Sequence, residues 1–145
     1  AVIMLKSLHH VPEELMDQAL TEIARVLRPN GMVYISEPVY AGDFNQILRR
    51  FHDEKSVREA AFSAIQRAVD HGRFILEREF HFLAESRFVG FEEFEQRIIG
   101  ATHSEFSISE QLLEEIRSAF MPFVGPDGTA VFKNPMRVDL LRRPG

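Results

Sequence analysis

The feature that most constrains the fold lies at the start of the chain. Ala1-Val2-Ile3-Met4-Leu5 is an uninterrupted apolar run, the pattern of a strand covered on both faces in a parallel sheet. After it, Leu15/Met16, Ala19/Leu20, Ile23/Ala24 and Leu27 form one apolar stripe at helical spacing. Pro12 suits a first helical turn, and Glu13 and Glu14 suit the positive end of the helix dipole. The spacing predicts a helix from about Pro12 to Arg28. Pro29-Asn30-Gly31 stops it, because proline cannot continue the ladder and Asn or Gly tolerates a left-handed turn. Met32-Val33-Tyr34-Ile35 is a second apolar strand, closed by Glu37-Pro38. Strand, helix and strand joined by short connections make a βαβ unit, so the expected class is α/β.

Beyond Gly42 the periodicity changes. Phe44, Ile47, Leu48 and Phe51, then Val57, Ala60, Ala61, Ala64, Ile65 and Ala68, read as two helices broken near His52-Asp53. Residues 42–72 thus form a helical insertion after the second strand, within a single domain over 1–145. From Phe74 to Ala84 the period becomes two. Phe74, Leu76, Phe80, Phe82 and Ala84 share a face expected to be buried, opposite Glu77, Glu79, His81 and Glu85. This is an antiparallel or edge strand. Phe91 to Ile99 reads as a short helix, and Ser107 to Phe120 as a longer one capped by Ser107 or Ser109. Gly125-Pro126-Asp127-Gly128 is a turn; Val131-Phe132 and Met136 to Leu141 form a terminal strand interrupted at Pro135.

The bulk numbers exclude several functions. A formal charge of −5 argues against a surface that tracks phosphates, so no nucleic-acid partner is expected. No cysteine is present, which removes disulfides, thiol nucleophiles and zinc knuckles, and fits a cytoplasmic protein. The opening apolar run ends at Lys6, too short for a membrane span, and no membrane partner is expected.

The stretch "LHHVPEELMDQALTEIARVLRPNGMVYISEP", Leu8 to Pro38, resembles class I S-adenosylmethionine-dependent methyltransferases from their fourth strand through their fifth. Small-molecule members carry there a strand, Leu-His-His or Glu-His, an acidic helix, Leu-Lys/Arg-Pro-Gly-Gly and an apolar strand. Asn30 stands in place of the first glycine. The resemblance covers about the first quarter of the chain. It implies a Rossmann-like mixed sheet flanked by helices, S-adenosylmethionine as cofactor and a small-molecule methyl acceptor. It also implies that the family's glycine-rich loop and its ribose- and adenine-binding residues precede Ala1, since none of the eight glycines stands in a G-x-G spacing. The chain then corresponds to the C-terminal half of such an enzyme, and by itself is expected to bind the cofactor weakly and to be inactive.

By the same resemblance, Lys6, Ser7 and Leu8 lie beside the cofactor's methionine end, and His9 and His10 are the candidate catalytic residues. An imidazole at the carboxyl end of a parallel strand is well placed to accept a proton from the methyl acceptor; a turn-shaping role for His10 is the alternative. Metal binding by the pair is not expected, because neighbours in extended chain point to opposite sides. His52-Asp53-Glu54 has the residue types for a divalent ion but reads equally well as an acidic helix start. "EPVY", Glu37 to Tyr40, resembles the Asp/Asn-Pro-Pro-Tyr motif of nucleobase methyltransferases, yet it follows the fifth strand rather than the fourth. Glu37, Tyr40, Phe44 and Phe51 are instead candidates for an acceptor pocket, with Phe62 as a further aromatic. Phenylalanines at helical spacing also serve as plain core. The rival to an enzyme is a non-catalytic α/β interaction module, for which an open strand edge admits homodimerisation.

Overall fold

A computed structural model describes residues 1–100 and 108–145. Four strands form one sheet in the order β1-β2-β4-β3: β1 (Val2–Leu5), β2 (Met32–Pro38), β3 (Ile75–Val89) and β4 (Thr129–Arg142). β1 runs parallel to β2, with Val2 opposite Val33 and Leu5 opposite Ser36. β2 runs antiparallel to β4, from Met32 opposite Arg142 to Pro38 opposite Met136. The sheet is therefore mixed and the class is α/β, as the pattern predicts. Five α-helices accompany it among the described residues: α1 (Met16–Val26), α2 (Asp43–Leu48), α3 (Lys55–Asp70), α4 (Gly90–Phe94) and α5 (Glu110–Phe120).

The chain divides into two compact units. The first comprises Ala1–Tyr40, Glu54–Phe82 and Pro135–Gly145. Its core joins the inner face of the sheet, Val33, Ile35 and Leu141, to Leu8, Met16, Leu20 and Leu27 and to Ala61, Ala64, Ile65 and Ala68 of α3. The alanines let α1 and α3 approach closely, as small residues at a helix contact do. Asn30 adopts the left-handed conformation, φ 62°. Its N–H donates to the Arg143 carbonyl at 3.0 Å, so the turn after α1 is tied to the end of β4.

The second unit comprises Ala41–Asp53 and Leu83–Asn134, of which residues 101–107 lie outside those described. Its core is largely phenylalanine: Phe51, Phe88, Phe91, Phe94, Phe120 and Phe132 are all buried. Phe44 stacks on Phe88 at 5.9 Å, and Phe94 lies 5.0 Å from Phe120. α4 continues through Glu95–Ile99 as a π-helical turn. Ser109 caps α5, its side chain accepting from the Leu112 N–H at 3.1 Å; Ser107 falls outside the described residues.

Several sequence expectations need correction. β1 is an edge strand rather than one covered on both faces: Ile3 and Leu5 are 68% and 61% exposed. The predicted 12–28 helix is shorter, because Glu13–Leu15 forms a 3-10 turn before α1 and the Leu27 backbone is already extended. On β3, which is indeed an edge strand, Leu76 and Phe82 are exposed although their alternation suggested burial. Pro135 does not interrupt β4, which runs unbroken from Thr129 to Arg142. Lacking an N–H, it still serves the sheet as an acceptor, taking the Val39 N–H at 3.0 Å.

Candidate functional site

The two histidines sit where β1 ends. Lys6 is left-handed, φ 50°, an uncommon conformation for a residue with a side chain, and its N–H donates to the Ser36 carbonyl at 2.8 Å. This bend turns the chain out of the sheet and into a 3-10 turn over Leu8–His10. The N–H groups at the start of such a turn have no partner within it. Here they converge on one carboxylate of the neighbouring strand. Glu37 Oε1 accepts from Ser7 N at 3.0 Å and from Leu8 N at 2.8 Å, and Oε2 is reached by His9 N at 3.5 Å. The pairing of Leu5 with Ser36 is what brings Glu37 beside that turn.

The same carboxylate bonds the His9 ring at Nδ1. Burial pushes the Glu37 carboxyl upward, but the His9 side-chain hydrogen bond, the Leu8 N–H, the His9 charge and the Ser7 N–H outweigh it and hold the group below its ordinary range. An ionised carboxylate can only accept, so Nδ1 carries the proton. In the neutral ring the lone pair then sits on Nε2. His9 is 5% exposed and Glu37 2%, so the pair is almost dry. Nε2 lies 4.0 Å from Glu54 Oε1, at the start of α3. Glu54 Oε2 accepts from Arg58 Nη2 at 2.6 Å and Nε at 3.1 Å, and Arg58 Nη1 donates to the Val39 carbonyl at 3.3 Å. The His10 ring is tilted 41° against His9, with centroids 4.0 Å apart.

The structure therefore gathers His9, His10, Glu37 and Glu54, all in the first unit, at the end of β1. Glu37, expected in an acceptor pocket, is instead buried and committed to the turn. Leu8, expected to touch the cofactor, has its side chain in the core, and the N–H groups of Ser7 and Leu8 are taken by Glu37. Lys6, at the bend, is exposed. Tyr40, half-buried, follows β2. Phe44 and Phe51 belong to the phenylalanine core of the second unit rather than to this site. Phe62 lies under the Arg137 guanidinium at 4.8 Å.

The backbone at His9-His10 is not extended, contrary to the expectation that set the pair aside as metal ligands: it forms a 3-10 turn that brings the two ring centroids to 4.0 Å. His9, His10 and Glu54 each bring a ligand atom within 4.8 Å of the others. Arg58 did not emerge as a site residue from the sequence, and Glu54 was considered only with His52 and Asp53 and not with the histidine pair; the i, i+4 spacing of Glu54 and Arg58 at a helix start was the available signal.

A methyltransferase-domain family model matches residues 1–35. No curated protein matches the chain. Among solved structures, a provisionally assigned methyltransferase of Bacillus halodurans C-125 aligns over 99% of this chain with 18% identity and a TM-score of 0.56. The YcgJ protein of Bacillus subtilis aligns over 99% with 16% identity and a TM-score of 0.50. This chain spans 64% of the length of each. At such identities the likeness is one of fold. The resemblance to class I S-adenosylmethionine-dependent methyltransferases, read from Leu8 to Pro38, is matched by the family model over 1–35 and by this shared α/β fold over nearly all of the chain.

Proposed function

We propose that this chain is the C-terminal portion of a class I S-adenosylmethionine-dependent methyltransferase acting on a small molecule in the cytoplasm. In this reading His9 accepts the proton that the acceptor gives up. The observation that carries it is an imidazole held by a buried carboxylate at the carboxyl end of a parallel strand, within the segment that the methyltransferase-domain model matches. Glu37 serves as the positioning residue: it fixes the tautomer, directs Nε2 to the side of Glu54 and stabilises the cation formed when Nε2 takes a proton. An oriented base of this kind contributes on the order of 10²–10⁴ in rate. His10, whose tilted ring lies beside it, and Tyr40, at the exit of β2, are the proposed acceptor contacts. An apolar acceptor gains no direct support from Phe51, which is core.

S-adenosylmethionine supplies an electrophilic methyl group where it is bound. In this chain Lys6, Ser7 and Leu8 shape the turn, and we expect them to contribute little affinity for the cofactor alone. The isolated chain should therefore be inactive. Two measurements test the reading: calorimetry of this chain with S-adenosylmethionine, and methyl transfer from labelled cofactor to a metabolite panel by a longer polypeptide containing it. Weak or no binding by the chain, with transfer by the longer polypeptide that falls at least ~10²-fold in His9→Gln, is expected. Tight binding by the chain overturns the partial-site reading, and no transfer by the longer polypeptide overturns the enzyme.

The exposed Ile3 and Leu5 on an edge strand favour a second reading, a non-catalytic module that dimerises through β1. Sedimentation showing a dimer that Leu5→Lys disrupts would support it; a monomer at high concentration would reject it. No described helix is long and apolar enough to cross a membrane.

A further inference from the structure

We infer that His9, His10 and Glu54 form a binding site for a divalent transition-metal ion of the zinc and cobalt class. Among the described residues these three bring two imidazoles and a carboxylate together, with ligand atoms no more than 4.8 Å apart. Bonds of ~2.0–2.1 Å in a tetrahedral site place ligand atoms about 3.4 Å from one another. The widest gap exceeds this by about 1.4 Å and the His9–Glu54 gap by about 0.6 Å, within reach of a rotation of the exposed His10 side chain and a small shift of Glu54. His9 is already set, because packing and Glu37 hold its ring.

The support behind His9 is the second, independent observation. A metal-bound imidazole almost always donates its other N–H to a carboxylate or carbonyl, which fixes the tautomer and raises the basicity of the ligating nitrogen. Glu37 does this at Nδ1 from a position 2% exposed. Arg58 plays a related part for Glu54. It holds Oε2, while Oε1 is the oxygen that lies 4.0 Å from His9 Nε2. Two nitrogens and one oxygen suit zinc, cobalt or nickel better than magnesium or calcium, which prefer all-oxygen ligands. Three protein ligands leave a fourth position for water or for a ligand atom of another molecule.

Metal binding goes beyond the methyltransferase reading and does not depend on it. One consequence does: an ion on Nε2 occupies the lone pair that the reading gives to a proton, so a loaded site is expected to inhibit methyl transfer by the longer polypeptide.

The test uses the chain itself, stripped with chelator and titrated with Co²⁺, followed by visible absorption, and with Zn²⁺ by calorimetry. One ion per chain is expected, with d–d bands of a four-coordinate nitrogen-oxygen site. His10→Ala, at an exposed position whose backbone bonds are retained, should weaken binding at least ~10-fold. Glu54→Gln should do the same, with circular dichroism as the check on folding. His71→Ala and His81→Ala should leave it unchanged. Absence of saturable binding, binding indifferent to His10→Ala, or binding lost in His71→Ala or His81→Ala would each overturn the assignment. Because no cofactor or acceptor is present, these results are separable from the fate of the methyltransferase reading.

Discussion

Replacing Glu37 by alanine should be the most damaging single polar truncation in the first unit. The carboxylate accepts from Ser7 N and Leu8 N at 3.0 and 2.8 Å, and from the His9 ring, all within a site that is nearly dry. Hydrogen bonds to a charged group contribute about 1.5–3 kcal/mol each, so three such bonds set an upper bound of about 5–9 kcal/mol. Removing the carboxylate also removes its own desolvation penalty, and water enters part of the space. Breaking a buried pair from one side typically costs about 3–5 kcal/mol, which we take as the expected loss for Glu37→Ala. With a urea slope of ~2 kcal/mol/M, the midpoint should fall by about 1.5–2.5 M. The chain has no tryptophan and two tyrosines, and Tyr34 and Tyr40 both lie in the first unit. Tyrosine fluorescence therefore reads that unit alone, while far-ultraviolet circular dichroism reads both. A loss below about 1 kcal/mol by fluorescence would refute the reasoning, since it would mean that the three N–H groups find equivalent partners without Glu37.

Further expectations concern pH, the aromatic core and the surface. The Glu37 carboxyl is held below its ordinary range in the fold, so its contribution is present above the unfolded value near 4.5 and disappears as pH falls through the lowered one. The difference in urea midpoint between wild type and Glu37→Gln should accordingly be constant at neutral pH and close in acid; a gap independent of pH contradicts this. Asp139 behaves oppositely: burial raises its carboxyl despite Arg137, so the stability it favours is complete below its unfolded value near 3.8 and diminishes as pH rises through the raised one. Its side-chain carboxyl, followed by carbon NMR, should titrate above that unfolded value. Phe94→Ala, fully buried among Phe88, Phe91 and Phe120, should destabilise the second unit by about 3–5 kcal/mol in denaturant unfolding. Arg67→Ala, by contrast, breaks only an exposed pair with Asp17 and should change stability by less than about 1 kcal/mol.

The local order of elements was legible because it depends on short-range chemistry. Pro29-Asn30-Gly31 marks the end of α1 and Asn30 takes the left-handed position, as its side chain permits. The break between α2 and α3 falls near His52-Asp53, and Ser109 caps α5. The exposure of β1, and of Leu76 and Phe82 on β3, was not legible, because an apolar pattern states what a strand tolerates and not what covers it. Pro135 misled for a related reason. A missing N–H breaks a strand only where a neighbour needs that donor, and β4 uses the Pro135 carbonyl instead. At the site, the sequence pointed to His9 and to Glu37 separately. Their union depends on the parallel register of β1 with β2 and on the left-handed bend at Lys6, and neither leaves a mark in the spacing of residues 28 apart. Glu54 is further removed, since it reaches His9 only through the packing of α3 against the histidine turn.

Nitrogen NMR of the imidazole rings tests the account most directly, because everything proposed for His9 requires that its Nδ1 be protonated and its Nε2 carry the lone pair. In the metal-free chain at alkaline pH, His9 should show a pyrrole-type Nδ1 and a pyridine-type Nε2, and Glu37→Gln should weaken that preference. A His9 ring protonated at Nε2 in the wild-type chain would contradict the account, removing both the base and the metal ligand at once.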